Sequence, residues 1–384
     1  MSSADAFLLP TIDPVADPAL TAVLQRKLDN KTKPLGSLGR LESLVLRLGL
    51  IQGSEAPVLK LPQLVVFAAD HGLADEGVSA YPQAVTAQMV MNMLLGGAAI
   101  NVLASQHGFA LTVVDAGIST HLNEDAEALA GVGTVRLLRR KIGFGTRNMS
   151  LRAAMSLDQA VAALHAGMDV VQGLPGNVVA FGEMGIANSS SAALLLARLC
   201  GVPLDDAVGR GTGLNDAQLL HKTEVLDRVL RRHSHLVQPL DILASVGGFE
   251  IAMMAGAMLR AASQRRVILV DGFIAGAAAL VARSLCDAVT DYMVFGHRSA
   301  EAGHRLMLIH LAADPLLTLD LRLGEGSGAL LAWPLLASAT ALLADMANFE
   351  SAGVSQAAAA QTPVADAAPA EPAVPSIAPH APEA

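Results

Sequence analysis

Aromatic side chains are scarce in this chain: Phe, Tyr and Trp make up 3% of 384 residues, with a single Trp. A core built without them must take its bulk from aliphatic and small residues. The 52% hydrophobic content and 34 glycines suit helices packed closely on a sheet. Cysteine is nearly absent. Cys200 and Cys286 sit in apolar segments at no metal or disulfide spacing, so both read as small buried hydrophobes. Basic charge is also short, with 26 Lys and Arg against 35 Asp and Glu. No basic stripe is available for a nucleic acid, so an anionic small molecule would have to be met by a few local cations and backbone N–H groups. The N-terminus lacks a basic stretch followed by an apolar core, so no secretory signal is expected and the expected location is cytoplasmic. One uncharged run, Gly326 to Ala344, approaches membrane-spanning length. Gly328, Pro334, Ser338 and Thr340 within it, and Glu325 and Asp345 at its ends, instead mark a buried helix, and no membrane partner is expected.

What is present is an alternation of short apolar runs with helical patterns. Strands are expected at Gln63–Asp70, Ala110–Gly117, Asn177–Gly182, Val267–Asp271, Tyr292–Phe295 and Leu316–Leu323, with helical stretches between them, among them Thr86–Ser105 and Ile242–Ala262. This predicts an α/β fold with a Rossmann-like, mostly parallel sheet flanked by helices over residues 61–329. The ends, 1–60 and 330–354, read as helical and not interleaved with strands, which predicts a small helical subdomain built from both. Residues 355–384 are rich in Ala and Pro and read as a disordered tail.

Nearly every expected strand runs into a turn carrying glycine and an acid: Asp70-His71-Gly72, Asp115-Ala116-Gly117, Gly182-Glu183-Met184-Gly185, Asp271-Gly272 and Gly324-Glu325-Gly326. In a parallel sheet all five lie on one edge, where such folds place their ligands. Glu325 fits either a general base whose pKa is raised by burial or a carboxylate that offsets a helix dipole. Gly185, Asn188, Ser189 and Ser190 open a helix and supply donors suited to an anion, and the Gly211/Gly213 turn with Lys222 beyond it offers a second such surface. The segment Gly296 to His304 follows a strand and makes His297 or Ser299 a candidate ligand contact. No spacing indicates a metal site, and neither metal nor cofactor is expected.

Several segments taken together resemble one family. They are Lys33-Pro-Leu-Gly-Ser-Leu-Gly-Arg-Leu-Glu42, Ala69-Asp-His-Gly72 with Glu76-Gly-Val-Ser79, Gly182-Glu-Met-Gly-Ile-Ala-Asn188, Gly209-Arg-Gly-Thr-Gly213, Gly296-His-Arg-Ser299 and Leu321-Arg-Leu-Gly-Glu-Gly-Ser-Gly328. From about residue 20 to 354 the chain is similar to the nicotinate-nucleotide–dimethylbenzimidazole phosphoribosyltransferases. The resemblance implies a homodimer acting on nicotinate mononucleotide and a benzimidazole-type base, with no metal or redox cofactor. It implies Glu325 as the general base, Glu183 and Lys222 as polar active-site residues, and Ser79, Tyr81, Gln88 and Leu323 around the aromatic base. The phosphate is expected on Gly185–Ser190 and the Gly211/Gly213 turn, with Lys222 and Arg322 as cations. Asp271 and Ser299 complete the expected set of substrate contacts. The chain departs from the family pattern at Ala187-Asn188-Ser189-Ser190, where many relatives have Gly-Asn-Thr-Thr, and at Arg210, often a proline. A non-catalytic nucleotide-binding relative, transfer to a different aromatic base, and a metal-dependent phosphoesterase using Asp70 and His71 are the alternatives.

Overall fold

The computed structural model describes residues 8–122, 126, 135–211 and 213–355. Apart from its first residue, the expected tail lies outside them. Six strands form one sheet: β1 (Gln63–Ala69), β2 (Ala110–Gly117), β3 (Val135–Arg139), β4 (Val178–Met184), β5 (Val267–Val270) and β6 (Met293–Phe295). They lie in the order β3-β2-β1-β4-β5-β6, and every neighbouring pair is parallel. The fold is α/β. Every residue of β1 and β5 is buried, as expected for strands covered by helices on both faces. The strand order reverses between β1 and β4, which opens a crevice beyond their carboxyl ends.

The helices used below are α1 (Pro18–Asp29), α2 (Arg40–Gln52), α3 (Val85–Leu94), α4 (Ala99–His107), α5 (Leu157–Gln172), α6 (Asn188–Cys200), α7 (Asp216–Arg232), α8 (Pro239–Val246), α9 (Phe249–Ser263), α10 (Phe273–Leu285), α11 (His304–His310) and α12 (Ser327–Asp345). The shortage of large side chains shows where α5 meets α9. A Cβ on Gly167 would lie 1.7 Å from Met253 O, and one on Gly256 would lie 1.9 Å from Leu164 O, so the two backbones touch through glycine.

Residues 30–32 and 347–349 meet. Thr32 N donates to Ala347 O at 3.1 Å, Phe349 N donates to Asn30 O at 3.1 Å, and α12 packs against α2 and α4. Val85–His107 and Ser327–Asp345 are long and apolar enough to cross a membrane by composition alone. The first spans α3, a glycine turn and α4, and the second buries Ala329, Leu330, Ala332, Leu336, Ala339 and Leu343.

Four sequence expectations need correction. The strand expected at Leu316–Leu323 shrinks to β8 (Leu317–Thr318), paired with the two residues of β7 (His297–Arg298). Beyond it Gly324, Glu325 and Gly326 have φ of 84°, 63° and 93°, and three successive left-handed residues cannot continue a ladder. The helix expected over Ile242–Ala262 breaks at Gly247-Gly248 into α8 and α9, because both glycines take extended backbone, and a side chain at Gly248 would strike the His71 ring at 2.3 Å. The stretch Thr86–Ser105 likewise divides at Gly96-Gly97. The edge strand β3 was not expected, since Arg136 and Arg139 interrupt its apolar run.

Candidate active site

Of the five acidic turns, three supply carboxylates to one place. Asp70 and Asp115 are spent on the turn after β2: Asp70 Oδ2 accepts from Ser119 N at 2.8 Å, and Asp115 Oδ1 accepts from Ile118 N at 3.0 Å and pairs with Lys141. Glu183 at the end of β4 gathers with Asp271 and Glu325, which lie beyond β5 and β8. An open cleft runs beside them, lined by Glu183 and Asp271 and by Leu323 and Gly324 but not by Glu325.

One end of this cleft is built to receive an anion. The α6 helix begins at Asn188, and Ala187 before it takes the left-handed conformation, with φ of 73°. That conformation costs a non-glycine residue on the order of 1 kcal/mol. It turns the chain so that Gly185, Ile186, Ala187, Asn188 and Ser189 all line the cleft. Thr86 on α3 steadies the turn by accepting from Ile186 N at 3.1 Å. Opposite stands the fully buried Lys222 of α7, whose Nζ donates to Ser189 Oγ at 3.0 Å and to Gly209 O at 3.1 Å. Burial pulls its pKa down to about 8, against the pull of Glu301. An ammonium keeps a third proton for a ligand. Gly211, with φ of 53°, brings its backbone alongside: a Cβ there would sit 3.0 Å from Ser189 Oγ and 3.7 Å from Lys222 Nζ.

Beside this seat Glu183 lines the cleft, and its Oε2 accepts from Asn188 Nδ2. Burial pushes its pKa up to about 8, with Asn188 opposing and Glu250, Asp271 and Glu325 adding to the rise. The group is therefore neutral at pH 7. Stability should fall as pH climbs from the unfolded value near 4.5 through about 8, because the unfolded chain releases this proton first. The limiting slope is about 1.4 kcal/mol per pH unit. Glu183→Gln should remove that decline, which urea unfolding at pH 5 and pH 8 would reveal. Equal pH dependence in both proteins would show that Glu183 is ionised in the fold.

Glu325 is 4% exposed and turns toward α4, where its Oε2 accepts from Ile100 N at 3.4 Å. Burial raises its pKa; the Ile100 N–H opposes this and the charge of Asp271 adds to it. Asp271 serves the same loop: Oδ2 accepts from Gly326 N at 3.2 Å and Oδ1 from Ala329 N at 3.0 Å. It thus caps α12 and grips the residue after Glu325. Two glycines make room for this arrangement. A Cβ on Gly182 would lie 2.2 Å from Glu325 O, and one on Gly324 would lie 2.2 Å from Glu183 Oε1.

Among the other expected contacts, Ser79, Ser299, Arg322 and Leu323 line the cleft. Ser299 Oγ is engaged by its own chain, donating to Leu321 O and accepting from Glu301 N, each at 3.2 Å. Gly213 lies beside Arg322, whose Nη1 is 3.9 Å from the position of a Cβ on the glycine. Three residues fall elsewhere. Ser190 turns into the interior, Tyr81 is exposed, and Gln88 faces a shallow depression with His121 and Leu122. Sequence reasoning missed Glu301, which lines the cleft, and Glu250, which sits behind it. His71 Nε2 lies 2.7 Å from Glu250 Oε1 and its Nδ1 lies 3.0 Å from Ser191 Oγ. Burial works against charge on His71, but Glu250 and Asp70 raise its pKa above the ordinary value. Both ring nitrogens are thus taken, so the pair braces the floor beneath α6 and does not face the cleft as a phosphoesterase site would.

The comparisons fit this geometry. A family model described as a phosphoribosyltransferase matches residues 13–354. The chain belongs to this phosphoribosyltransferase family. Among its relatives is the nicotinate-nucleotide–dimethylbenzimidazole phosphoribosyltransferase of Variovorax paradoxus, 57% identical, with 91% of this chain and 97% of that one covered. The enzyme of the same name from Cupriavidus taiwanensis is 59% identical, over 91% of this chain and 99% of the relative. The crystal structure of CobT from Thermus thermophilus superposes with a TM-score of 0.82 at 41% identity, covering 88% of this chain and all of that one. The cleft residues lie within the span that matches this phosphoribosyltransferase family.

Proposed function

We propose that the protein transfers the phosphoribosyl group of nicotinate mononucleotide to 5,6-dimethylbenzimidazole, giving α-ribazole 5′-phosphate and nicotinate with inversion at the anomeric carbon. The observation that carries this reading is a single cleft whose lining joins an anion seat to Glu183 and Asp271, with Glu325 buried on the loop that follows the lining residues Leu323 and Gly324. It is supported by near-full-length likeness to enzymes of that name. In this reading the phosphate sits against Gly185–Ser189, Gly211 and Lys222. One benzimidazole nitrogen attacks C1′ while the glycosidic bond breaks, and its electron pair neutralises the departing pyridinium nitrogen. Leaving nicotinate therefore needs no proton. The other benzimidazole nitrogen loses its proton to Glu325, which burial makes a stronger base than an ordinary carboxylate. Inversion requires base and leaving group on opposite faces of the sugar. Neutral Glu183 is a hydrogen-bonding group beside the reacting carbon. A homodimer, a cytoplasmic location and a small helical subdomain made of both chain ends belong to the same proposal.

The test is a chromatographic assay of purified protein with both substrates. α-Ribazole phosphate and nicotinate appearing in equal amounts support the proposal. Nucleotide binding without nicotinate release, across benzimidazole, purine and phenolic acceptors, would favour a non-catalytic relative.

Lys222 gives this reading a pH signature. Its positive charge is lost above about pH 8, so the KM for nicotinate mononucleotide should rise between pH 7.5 and 9. Lys222→Met should raise KM about 10- to 100-fold at pH 7, as expected for losing a charged hydrogen bond to phosphate, and should flatten that rise. A KM unchanged in Lys222→Met would place the phosphate elsewhere.

A further inference from the structure

Three carboxylates line the cleft, and two of them are already committed. Glu183 Oε2 accepts from Asn188, its other oxygen is pressed against Gly324, and the group is neutral at pH 7. Both oxygens of Asp271 accept from the backbone of α12 and the residue before it. The third, Glu301, is different. Its Oε2 is buried and has no hydrogen-bond partner among the described residues. Its main chain is held, because Glu301 N donates to Ser299 Oγ, and its carboxylate lies over Gly209, where a Cβ would come within 2.2 Å of Oε2. Lys222 feels the charge of Glu301 but spends its hydrogen bonds on Ser189 and Gly209.

A buried carboxylate oxygen without a donor is costly, so a ligand that brings one is favoured. The phosphate cannot be that ligand, since it carries the same sign of charge. The chemistry that fits is a neutral hydroxyl next to the phosphate along the same molecule, which in a nucleotide is the ribose.

We propose that Glu301 accepts a hydrogen bond from a ribose hydroxyl of the bound nucleotide, making it the residue that distinguishes a ribonucleotide donor from a deoxyribonucleotide. This rests on the phosphoribosyl-donor reading above. It also explains why Gly209 stands where it does: any side chain there would displace the acceptor.

The experiment compares kcat/KM for nicotinate mononucleotide and for its 2′-deoxy and 3′-deoxy analogues in wild type, Glu301→Gln and Glu301→Ala. The intrinsic reactivity of each analogue is the same in every protein, so it cancels when the ribo-to-deoxy ratio of a variant is divided by that of wild type. In Glu301→Ala the ratio should fall about 10- to 100-fold from its wild-type value for at least one analogue, the change expected for losing a hydroxyl's bond to a charged acceptor. The isosteric Glu301→Gln should lie in between. One result would overturn the proposal: variants that weaken all three donors equally and keep the wild-type ratio, as a residue acting through Lys222 would. If wild type releases no nicotinate, the transfer reading fails first, and the same ratio taken from calorimetric binding still decides the role of Glu301. A nucleotide that neither reacts nor binds overturns both.

Discussion

Glu325→Gln should lower kcat by about 10²- to 10⁴-fold, the usual contribution of a general base, while binding of nicotinate mononucleotide stays near wild type. The separation is expected because the anion seat and the carboxylate occupy different elements. The seat is made by the turn into α6, by Lys222 and by Gly211, none of which contacts the Glu325 side chain. The amide of Gln cannot take a proton from the benzimidazole, yet it can still accept from Ile100 N, so the loop should keep its shape. The pH profile supplies a second signature. Burial and the charge of Asp271 raise the Glu325 pKa above the ordinary carboxylate range, so turnover should climb as pH rises through that value and level off above it. In the Gln variant that limb should vanish. Titration of kcat and of nucleotide affinity from pH 5 to 8 measures both effects. If Glu325→Gln turned over at the wild-type rate, the base would have to be another group.

Gly182→Ala should cost about 100-fold in kcat/KM although residue 182 cannot touch substrate. Its added methyl would stand 2.2 Å from Glu325 O and 2.4 Å from Glu325 C, and these are backbone atoms with no flexible end to yield. The Glu325 segment must therefore move by roughly 1 Å, a displacement that commonly costs two orders of magnitude in catalysis. The stability loss should be smaller, about 1–3 kcal/mol, as for one methyl forced into a packed interior. Activity and thermal unfolding measured on the same preparation separate the two. A variant that is destabilised but fully active would show that the position of Glu325 against β4 does not govern turnover.

Much of the sheet was legible because β1, β2, β4 and β5 are continuous apolar runs that end in glycine and an acid. The misreading at 316–323 has a specific cause. Leu317, Leu319, Leu321 and Leu323 alternate as a half-buried strand would, but Leu319 and Leu323 are more than half exposed and Asp320 takes a left-handed φ of 53°, so the chain leaves the strand after Thr318. Within the site, the glycine-flanked acids and the serine-rich helix start were visible as local patterns. Glu301 was not, because its importance comes from lacking a partner in three dimensions. Glu250 was hidden inside an apolar helix, and only its approach to His71 explains a carboxylate there. Gln88 seemed to belong with the base-binding region, yet the turn of α3 that directs Thr86 to the cradle faces Gln88 away from the cleft. Rotation about a helix axis decides such placements, and short motifs carry little information about it.

The meeting of residues 30–32 with 347–349 gives the molecule two separate foundations. The anion seat stands on β4, α6 and α7, deep in the sheet's own layers. Glu325 instead sits at the threshold of α12, which leans on α2, and it reaches its hydrogen-bond donor on α4. Loosening residues 18–52 should therefore displace Glu325, the base in the proposed reaction, before it disturbs the proposed anion seat. The first symptom of a frayed terminus would be an enzyme that still holds its donor but has stopped turning it over.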